Sequence, residues 1–435
     1  MPTRKPTTIN TWANIFAALA FSWIMLDALA NYFITGVLGS AIQVNGLLPI
    51  FILLMIWFGG VRAIVPPASV TLTLVFGVVG FAMGPLLVRE ISPYRYIELL
   101  GALCAFIVGY TYSRWHEDEA SFSRLLLIVT GMHVVVCSLA LLKVAPSILP
   151  VTEQPWSYHG HVVYRPFIGT NSNFQVFYLF PVVLILVLPY KTIRFWSSLT
   201  LMVGAMFILA RLQTRSGSLA FLGIGLLCLL APLRNKRLGR WKLVTIGIAG
   251  LVFLATGLPW LLKHSNLLIA RFIDTDYATG YGRLLGFTYL FEHLFDPLWW
   301  SPQGNAEFAQ RYQGTGSDAV PHSNITAMFL EGGIIGLCAW LILFLAPAWQ
   351  LSIMFLRNRI DPLATMILMG GICMLVTQMS LNVPFFKQPW LWAGAVVGAL
   401  YRSRGELAAM RSARSVSDLS KASEPPLAFG SEAGR

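Results

Sequence analysis

The stretch SNITAMFLEGGIIGLCAWLILFLAPA, residues 323–348, decides the fold class of this chain. A helix needs roughly 20 predominantly apolar residues to cross the hydrocarbon of a bilayer, because each residue adds about 1.5 Å of length. This stretch exceeds that length and carries a single charged residue, Glu331. It therefore predicts a transmembrane helix.

Comparable apolar stretches recur along the chain. Of its 435 residues, 56% are hydrophobic and 11% are charged, and this composition excludes an ordinary soluble domain. We expect an all-α, polytopic integral membrane protein with about twelve transmembrane helices and one large periplasmic loop. The predicted spans lie near residues 12–34, 42–60, 68–88, 95–113, 122–146, 172–190, 194–211, 216–232, 242–262, 323–348, 362–382 and 385–401.

The basic residues between the spans predict the orientation of the chain. Lysines and arginines concentrate in alternate connections, which the positive-inside rule assigns to the cytoplasm. Both termini are then cytoplasmic, and the segment 263–322 faces outward. The basic residues that define the cytoplasmic side are Arg4, Lys5, Arg62, Arg114, Arg124, Lys191, Arg194, Arg234, Lys236, Arg237, Arg240, Lys242, Arg357, Arg359, Arg402 and Arg404.

The net charge of +12 has the same explanation. No basic, aromatic-interleaved soluble domain is evident in the sequence, so we expect this charge to serve topology and contact with anionic lipids, and no nucleic acid as a partner. The five cysteines all fall inside apolar stretches and imply no disulfide framework.

The chain divides into four predicted regions. Residues 1–262 hold spans 1–9 with short loops, and residues 323–402 hold spans 10–12. The tail 403–435 is rich in Ser, Ala, Glu and Arg, which predicts a disordered cytoplasmic end. The loop 263–322 is too rich in Trp, Phe, Tyr and Leu for disorder, and a connection of that length is usually functional. We expect it to fold as a cap over an active site at the membrane surface.

Arginines on the outer face are the first candidate site residues. Arg211 and Arg215 flank the turn RLQTRSGS; on one continuous helix they would lie four residues apart, where their repulsion favours an anion between them. Ser216 is expected to cap the following helix, whose N–H groups add an anion site. The alternative is that both arginines only reach lipid headgroups. The other outward arginines are Arg89, Arg95, Arg165, Arg271 and Arg283.

His322 is the candidate general base. It stands directly before a predicted span that starts at Ser323 or Asn324, where the positive end of the helix dipole disfavours the imidazolium. A neutral histidine can accept a proton from a hydroxyl group near neutral pH. The alternative is an interfacial histidine with ordinary hydrogen bonds.

Two ionisable residues fall inside predicted spans. Glu331 is costly in hydrocarbon and is therefore a functional candidate. The alternatives are a neutral carboxyl group or a pairing with a polar group of a neighbouring helix. Gly332 and Gly333 would allow close helix packing, and we favour that packing role over direct catalysis. His133 is expected to form a simple hydrogen bond.

Four motifs carry a resemblance to a known family. They are RPFIGTNSNF (165–174), LQTRSGSLAFL (212–222), GYGRLLGFTYLF (280–291) and PHSNITAMFLEGGIIGL (321–337). Their order and spacing resemble the O-antigen ligase and polymerase superfamily of bacterial envelopes. The family turn usually reads Ser-Arg-Gly, whereas this chain has Thr-Arg-Ser-Gly, so either Arg211 or Arg215 corresponds to the family arginine.

The resemblance implies a GT-C-like glycosyltransferase in the bacterial inner membrane. Such enzymes transfer a glycan from undecaprenyl diphosphate to an acceptor hydroxyl, which in the ligases belongs to a sugar of lipid A core. His322 would be the base, and Arg215 and Arg283 would hold the diphosphate, with inversion at the anomeric carbon and with neither metal nor other cofactor. Supporting contacts with substrate are implied for Arg211, Arg165, Arg89, Asn324 and Arg271.

Three other functions stay open on the sequence. A polymerase of the same superfamily would lengthen a lipid-linked glycan, and a protein O-oligosaccharyltransferase would typically carry a larger soluble C-terminal domain. A flippase for lipid-linked glycans would need arginines but no base, and buried charges along many spans would support it. We expect the ligase, acting in lipopolysaccharide biosynthesis, with the lipid-linked donor, lipid A core and membrane lipids as partners.

Overall fold

The structure, a computed structural model, describes residues 8–30, 47–87, 93–116, 118–144, 149, 151–155, 162–166, 175–188, 192–212, 215–231, 276–304, 308, 311, 323–379 and 385–422. Helices make up most of this part of the chain. In chain order they are α1 (Thr8–Met25), α2 (Leu48–Gly59), α3 (Val61–Ile64), α4 (Ala68–Leu87), α5 (Pro93–Trp115), α6 (Glu119–Leu141), α7 (Val176–Leu179), α8 (Pro181–Leu184), α9 (Ile193–Leu212), α10 (Arg215–Leu230), α11 (Asp276–His293), α12 (Asn324–Leu356), α13 (Pro362–Gln378) and α14 (Lys387–Ala422), with short 3₁₀ helices at Ile185–Val187 and Pro297–Trp299.

One small hairpin departs from the predicted all-α architecture. Strands β1 (Val151–Pro155) and β2 (Val162–Pro166) pair antiparallel, with Thr152 opposite Arg165. The Thr, Val and Tyr residues of these strands favour an extended backbone, and a proline ends each strand. The hairpin packs against α6 and α9 through β2.

Apolar helices of membrane-crossing length are present. Three helices, Arg95–Trp115, Glu119–Leu141 and Asn324–Leu356, are long and apolar enough to cross a bilayer, and several shorter apolar helices accompany them. This architecture is compatible with a membrane protein. Within the described ranges, eleven of the twelve predicted spans contain helix, and the ninth, 242–262, lies outside those ranges. The number of membrane crossings stays a prediction.

The last helix continues into the predicted tail, and residues 423–435 of that tail lie outside the described residues. We expected disorder from residue 403, but α14 continues to Ala422. The residues after Ser403 include Glu, Leu, Ala, Met and Arg, which have high helix propensity. Arg402 also lies 3.8 Å from the carboxylate of Glu406, a spacing of four residues that supports the continuing helix.

Helices α5 and α14 form the most extensive contact in the core. A Cβ atom on Gly109 of α5 would collide with the carbonyl of Leu391, and one on Gly394 of α14 would collide with that of Phe106. Glycine at both positions therefore lets the two backbones touch. Trp392 of α14 is fully buried beside these contacts. Its indole is ringed by Phe21, Phe122 and Phe180 from three other parts of the bundle.

Helix α12 is interrupted at Gly333, where φ is 61° and ψ is −161°. In a regular helix the N–H of Ile334 would donate to the carbonyl of Leu330. Here Ile334 N donates to Trp300 O at 3.0 Å, and Leu330 O accepts from Gln303 N at 3.0 Å. The chain that follows α11 thus replaces one hydrogen bond of α12 with two of its own.

The inserted segment, residues 300–303, is held in place by its neighbours. A Cβ atom at Gly333 would collide with the carbonyl of Trp300, so only glycine fits there. Pro302 lies against Gly333 and also against Gly84 of α4. Residues 300–303 are therefore fixed to two helices of the bundle.

A buried ion pair joins the residues that follow the first helix to the start of the last helix. Lys387 Nζ lies 2.6 Å from Asp27 Oδ2, and both side chains are buried. The neighbouring Gln388 donates from Nε2 to the carbonyl of Ile24 at 3.0 Å. Both contacts lie at the end of the bundle that the predicted topology places outward.

A second polar cluster ties the opposite end together. The buried Arg402 of α14 donates to the carboxylate of Asp361, which caps α13, at 3.2 Å. It also donates to the carbonyls of Ser113 and His116 at the end of α5. This single guanidinium therefore links α5, α13 and α14.

Candidate functional site

Arg211 and Arg215 lie at the ends of consecutive helices. Arg211 is the penultimate residue of α9, and Arg215 is the first residue of α10, so they do not share one helix. Ser216 lies inside the first turn of α10 and is not the cap that we expected. Arg215 stands at the positive end of the α10 dipole, where a cation is unfavourable and an anion is favoured. The side chains of both arginines lie outside the described residues.

Helix α11, which carries Arg283, packs on the first turn of α12. Thr326 donates from Oγ1 to the carbonyl of Gly286 at 3.0 Å, and both residues are buried. Arg283 precedes Gly286 by three residues, which is about one helical turn. The GYGRLLG motif and the first turn of α12, separated in the sequence, are therefore neighbours at this contact, although the Arg283 side chain lies outside the described residues.

The predicted start of the span after His322 is correct. Helix α12 begins at Asn324, and Ser323 occupies the N-cap position with an extended backbone. His322 itself lies outside the described residues. A side chain at that position precedes the positive end of a long helix dipole, which disfavours the charged imidazolium. Its role as a base stays a prediction.

Asn324 links α12 to α13. Its Nδ2 donates to Oε1 of Gln378 at 2.5 Å, and both side chains are fully buried. A buried amide without a partner would cost about 1–3 kcal/mol, so this bond fixes the first turn of α12 against the last turn of α13. The predicted contact of Asn324 with substrate stays a prediction beside this structural role.

The helices that carry the candidate residues form one contiguous group. Helix α10, which starts at Arg215, packs on α13; α13 packs on α12; and α12 receives α11 with Arg283. The structure therefore connects α10, α11 and α12 through direct contacts between helices or through α13. Convergence of the three predicted catalytic side chains on one ligand is not tested by these contacts.

Of the remaining predicted residues, one falls in a described element. Arg165 lies on β2, which packs against α9, the helix that ends beside Arg211. The Arg165 side chain lies outside the described residues. Arg89 and Arg271 lie outside them entirely.

Of the two alternatives left open for Glu331, the structure shows the pairing with a neighbouring helix. Arg95 Nη2 of α5 lies 3.3 Å from Glu331 Oε1, and Arg95 Nη1 lies 3.3 Å from Glu98. Gly332 also packs closely as expected, since a Cβ atom there would meet the ring of Phe81 at 2.5 Å. The sequence analysis named Glu331 and Arg95 separately, but nothing in the sequence predicted that they form an ion pair.

The outer loop contains a folded cluster that the sequence analysis did not assign. Arg311 donates to the Glu292 carboxylate at 2.9 Å and lies 2.5 Å from His293 Nε2. The His293 ring stacks on Trp299 at 3.9 Å, and the Arg311 guanidinium lies over Tyr289 at 5.7 Å. The aromatic density of this loop was the available signal, and the predicted cap over residues 263–322 stays a prediction.

His133 has the structural role that we expected. Its Nε2 lies 2.6 Å from Gln175 Oε1, and both side chains are fully buried. The imidazole stacks on Tyr178 at 4.9 Å. The hydrogen bond connects α6 to the residue before α7.

Comparisons with known proteins add no relative. No model of a protein family matches this chain, and no curated protein matches it. Within the described ranges, no three His, Cys, Asp or Glu side chains are grouped as metal ligands. The arrangement of Arg215, Arg283 and His322 around one ligand stays a prediction.

Proposed function

We propose that this protein is an O-antigen ligase of the bacterial inner membrane, which transfers a glycan from undecaprenyl diphosphate to a sugar hydroxyl of lipid A core at the periplasmic face. The observation that carries the proposal is the hydrogen bond from Thr326 to Gly286. It supports the proposal because the helix of Arg283 and the residues that follow His322 belong to two of the motifs on which the resemblance rests.

In the proposed reaction, His322 accepts the proton of the acceptor hydroxyl. The hydroxyl oxygen attacks the anomeric carbon of the donor sugar from the side opposite the diphosphate. The bond from that carbon to the diphosphate oxygen breaks as the new glycosidic bond forms, so the anomeric configuration is inverted. The lipid diphosphate leaves with both electrons of the broken bond.

The arginines stabilise the leaving group in this scheme. Charge develops on the bridging oxygen as the bond breaks, and a guanidinium can donate two parallel hydrogen bonds to phosphate oxygens. Arg215 has the further support of the N–H groups at the start of α10. Arg211, Arg165, Arg89, Asn324 and Arg271 would contact the donor or the acceptor around this centre.

The test is glycan transfer by purified protein with lipid-linked donor and lipid A core, in the presence of EDTA. We expect the wild type to form capped lipid A core. His322→Ala should lose about 10²–10⁴-fold in rate, because a positioned base contributes that much. Arg283→Ala should lose about 10²–10³-fold, the usual effect of removing one preorganised donor.

Arg124→Ala is the matched control, because Arg124 is an exposed arginine on α6 at the other end of the bundle. It should keep full activity. A donor glycan that lengthens without capping lipid A core would replace the proposal with a polymerase. Glycan found on protein would indicate an oligosaccharyltransferase, and lipid-linked glycan that crosses vesicles without transfer would indicate a flippase.

A further inference from the structure

Four large apolar side chains point outward from the end of α11 and the turn after it. We call Phe291, Phe295, Leu298 and Trp300 the outer patch. Their exposed fractions are 65%, 80%, 84% and 44%. Side chains of this size rarely stand together in water, and such a patch usually marks a contact with membrane or protein.

The level of the outer patch along the bundle follows from the break in α12. Trp300, the last residue of the patch, is hydrogen-bonded to Ile334 immediately after Gly333. From Gly333 to Leu356 at the other end of α12 is roughly 35 Å, at 1.5 Å per residue. A hydrocarbon core is about 30 Å thick. If Leu356 marks the inner boundary of the hydrocarbon, the break lies at its outer boundary.

Helix α4 gives an independent measure of the same level. Gly84 touches the backbone of Glu331, beside the break. From Ala68, where α4 begins after two prolines, to Gly84 is roughly 24 Å. The length measured along α12 is slightly greater than the thickness of the hydrocarbon core, and the length measured along α4 is slightly smaller. Both lengths place the inserted segment near the outer boundary of the core.

The outer patch is also close to surface that α4 and α12 present to lipid. Near the break, α4 exposes Leu86 and Leu87 and α12 exposes Ile335. Pro302 of the inserted segment lies against Gly84, two residues before Leu86, and against Gly333, two residues before Ile335. The apolar surface of the two helices therefore extends toward the loop.

A charged edge on α11 marks where the exposed apolar surface of this helix ends. Glu292 lies about 100° around the helix from Phe291 and pairs with Arg311. The opposite side of α11 is buried, through Tyr289 and His293. Helix α11 thus has one buried side, one apolar exposed side and a charged edge, as in a helix that lies in a membrane interface.

We infer that the outer patch is inserted into the outer leaflet at the boundary between headgroups and acyl chains, with lipid hydrocarbon as its partner. The hydrogen bonds between the inserted segment and α12 hold the patch at that depth. Insertion keeps α11 at the membrane surface while its other side packs on the first turn of α12. The inference depends on the geometry of α4, α11 and α12 and not on the proposed reaction.

Spin labels measure the exposure of the outer patch to hydrocarbon or to water in the full-length protein in lipid nanodiscs. Single cysteines replace Phe295, Leu298 or Glu292 in a Cys338→Ala background, because Cys338 is exposed whereas Cys104, Cys137, Cys228 and Cys373 are buried. Relaxation of each label is compared for oxygen, which concentrates in hydrocarbon, and for a water-soluble nickel chelate. We expect the ratio of oxygen to chelate accessibility to be several-fold higher at positions 295 and 298 than at 292.

The Glu292→Cys label is the internal control, because it occupies the charged edge of the same helix. Equal ratios at the three positions, with strong relaxation by the chelate, would place the patch in water and overturn the inference. A repeat in detergent without lipid should raise chelate access at position 298 if the hydrocarbon of the bilayer is what covers it. Unchanged access there would instead indicate that protein covers the patch.

Discussion

A single missing methyl group at Gly84 allows α4 to lie against α12. A Cβ atom there would collide with the carbonyl of Glu331. We predict that Gly84→Ala lowers the stability in detergent by about 1–3 kcal/mol, because overpacking forces the helices apart. Thermal unfolding followed by circular dichroism measures the change.

Gly223→Ala provides the comparison for Gly84→Ala. Gly223 is also inside an apolar helix, but a Cβ atom there would meet nothing within 4 Å. Its replacement should leave stability unchanged or raise it slightly, since alanine has the higher helix propensity. Equal losses for the two variants would mean that helix contact at Gly84 is not the cause.

His116 makes stability depend on pH. It lies between α5 and α6, where burial lowers the pKa of its imidazole below the ordinary value of 6.5. The unfolded chain therefore binds a proton at a higher pH than the folded chain does. Stability is complete above the unfolded pKa and decreases as the pH falls through the range between the two values.

We predict that the melting temperature of the wild type falls between about pH 8 and about pH 5.5, which bracket the ordinary histidine pKa of about 6.5. His116→Asn should reduce this fall. Asp118 does not interfere, because the hydrogen bond from Ser121 lowers the pKa of its carboxyl below 3.8, so its contribution is lost only at lower pH. An identical fall in wild type and variant would contradict the assignment to His116.

At the scale of residues, the sequence indicated which side chains are unusual, but it did not predict which residues they contact. Glu331 was suspect because a carboxylate is costly among apolar residues, and that cost is a local property. Its partner Arg95 lies on another helix far away in the sequence, so packing alone decides the pair. Nothing in the sequence near Arg311 indicated its role, although its guanidinium lies over the rings of Tyr289 and Trp299.

The joint between α12 and α13 depends on a pair of amides. Asn324→Leu should remove the donor to Gln378 and leave a buried carbonyl, at a cost of about 1–3 kcal/mol. Gln378→Leu should cost a similar amount. The double variant should be less destabilised than the sum of the two, because both polar groups are then absent.

A double-mutant cycle by thermal unfolding measures this coupling. Thr377→Val is the control for Gln378→Leu, since the two hydrogen bonds described for Thr377 stay within α13, to the carbonyls of Cys373 and Met374. Additive losses at Asn324 and Gln378 would show that the amide pair does not hold the joint.

At the scale of elements, hydropathy predicted the helices and missed their interruptions. The start of α12 at Asn324 followed from an apolar run after a polar turn, which is local information. The break at Gly333 depends on hydrogen bonds to the backbone of residues 300–303, which are distant in the sequence. The pair Gly332 and Gly333 alone did not predict it. The hairpin at β1 and β2 was missed because its short strands lie between two spans and have no period that stands out.

At the scale of the whole molecule, the pair of Asp27 and Lys387 closes the bundle. We predict that Asp27→Asn or Lys387→Met alone costs about 3–5 kcal/mol, because each leaves its charged partner buried. Combining Asp27→Leu with Lys387→Met should restore most of that loss, since no charge is left to desolvate. Thermal unfolding of the purified variants in one detergent decides between these outcomes.

The surface pair of Arg124 and Asp118, 4.0 Å apart and exposed, is the control for this cycle. Its removal should change stability by less than about 1 kcal/mol. A buried pair that behaves like this surface pair would mean that water reaches Asp27 in the folded protein.

The pair of Asp27 and Lys387 also sets an order for assembly in the cell. The ribosome makes the first span long before the last, and at about 5–20 residues per second the lysine follows the aspartate by roughly 20–70 seconds. During that interval the insertion machinery must hold a carboxylate whose counter-ion has not been synthesised. Lys387 is therefore the later partner to be made, and a chain that stops short of residue 387 lacks this counter-ion of Asp27.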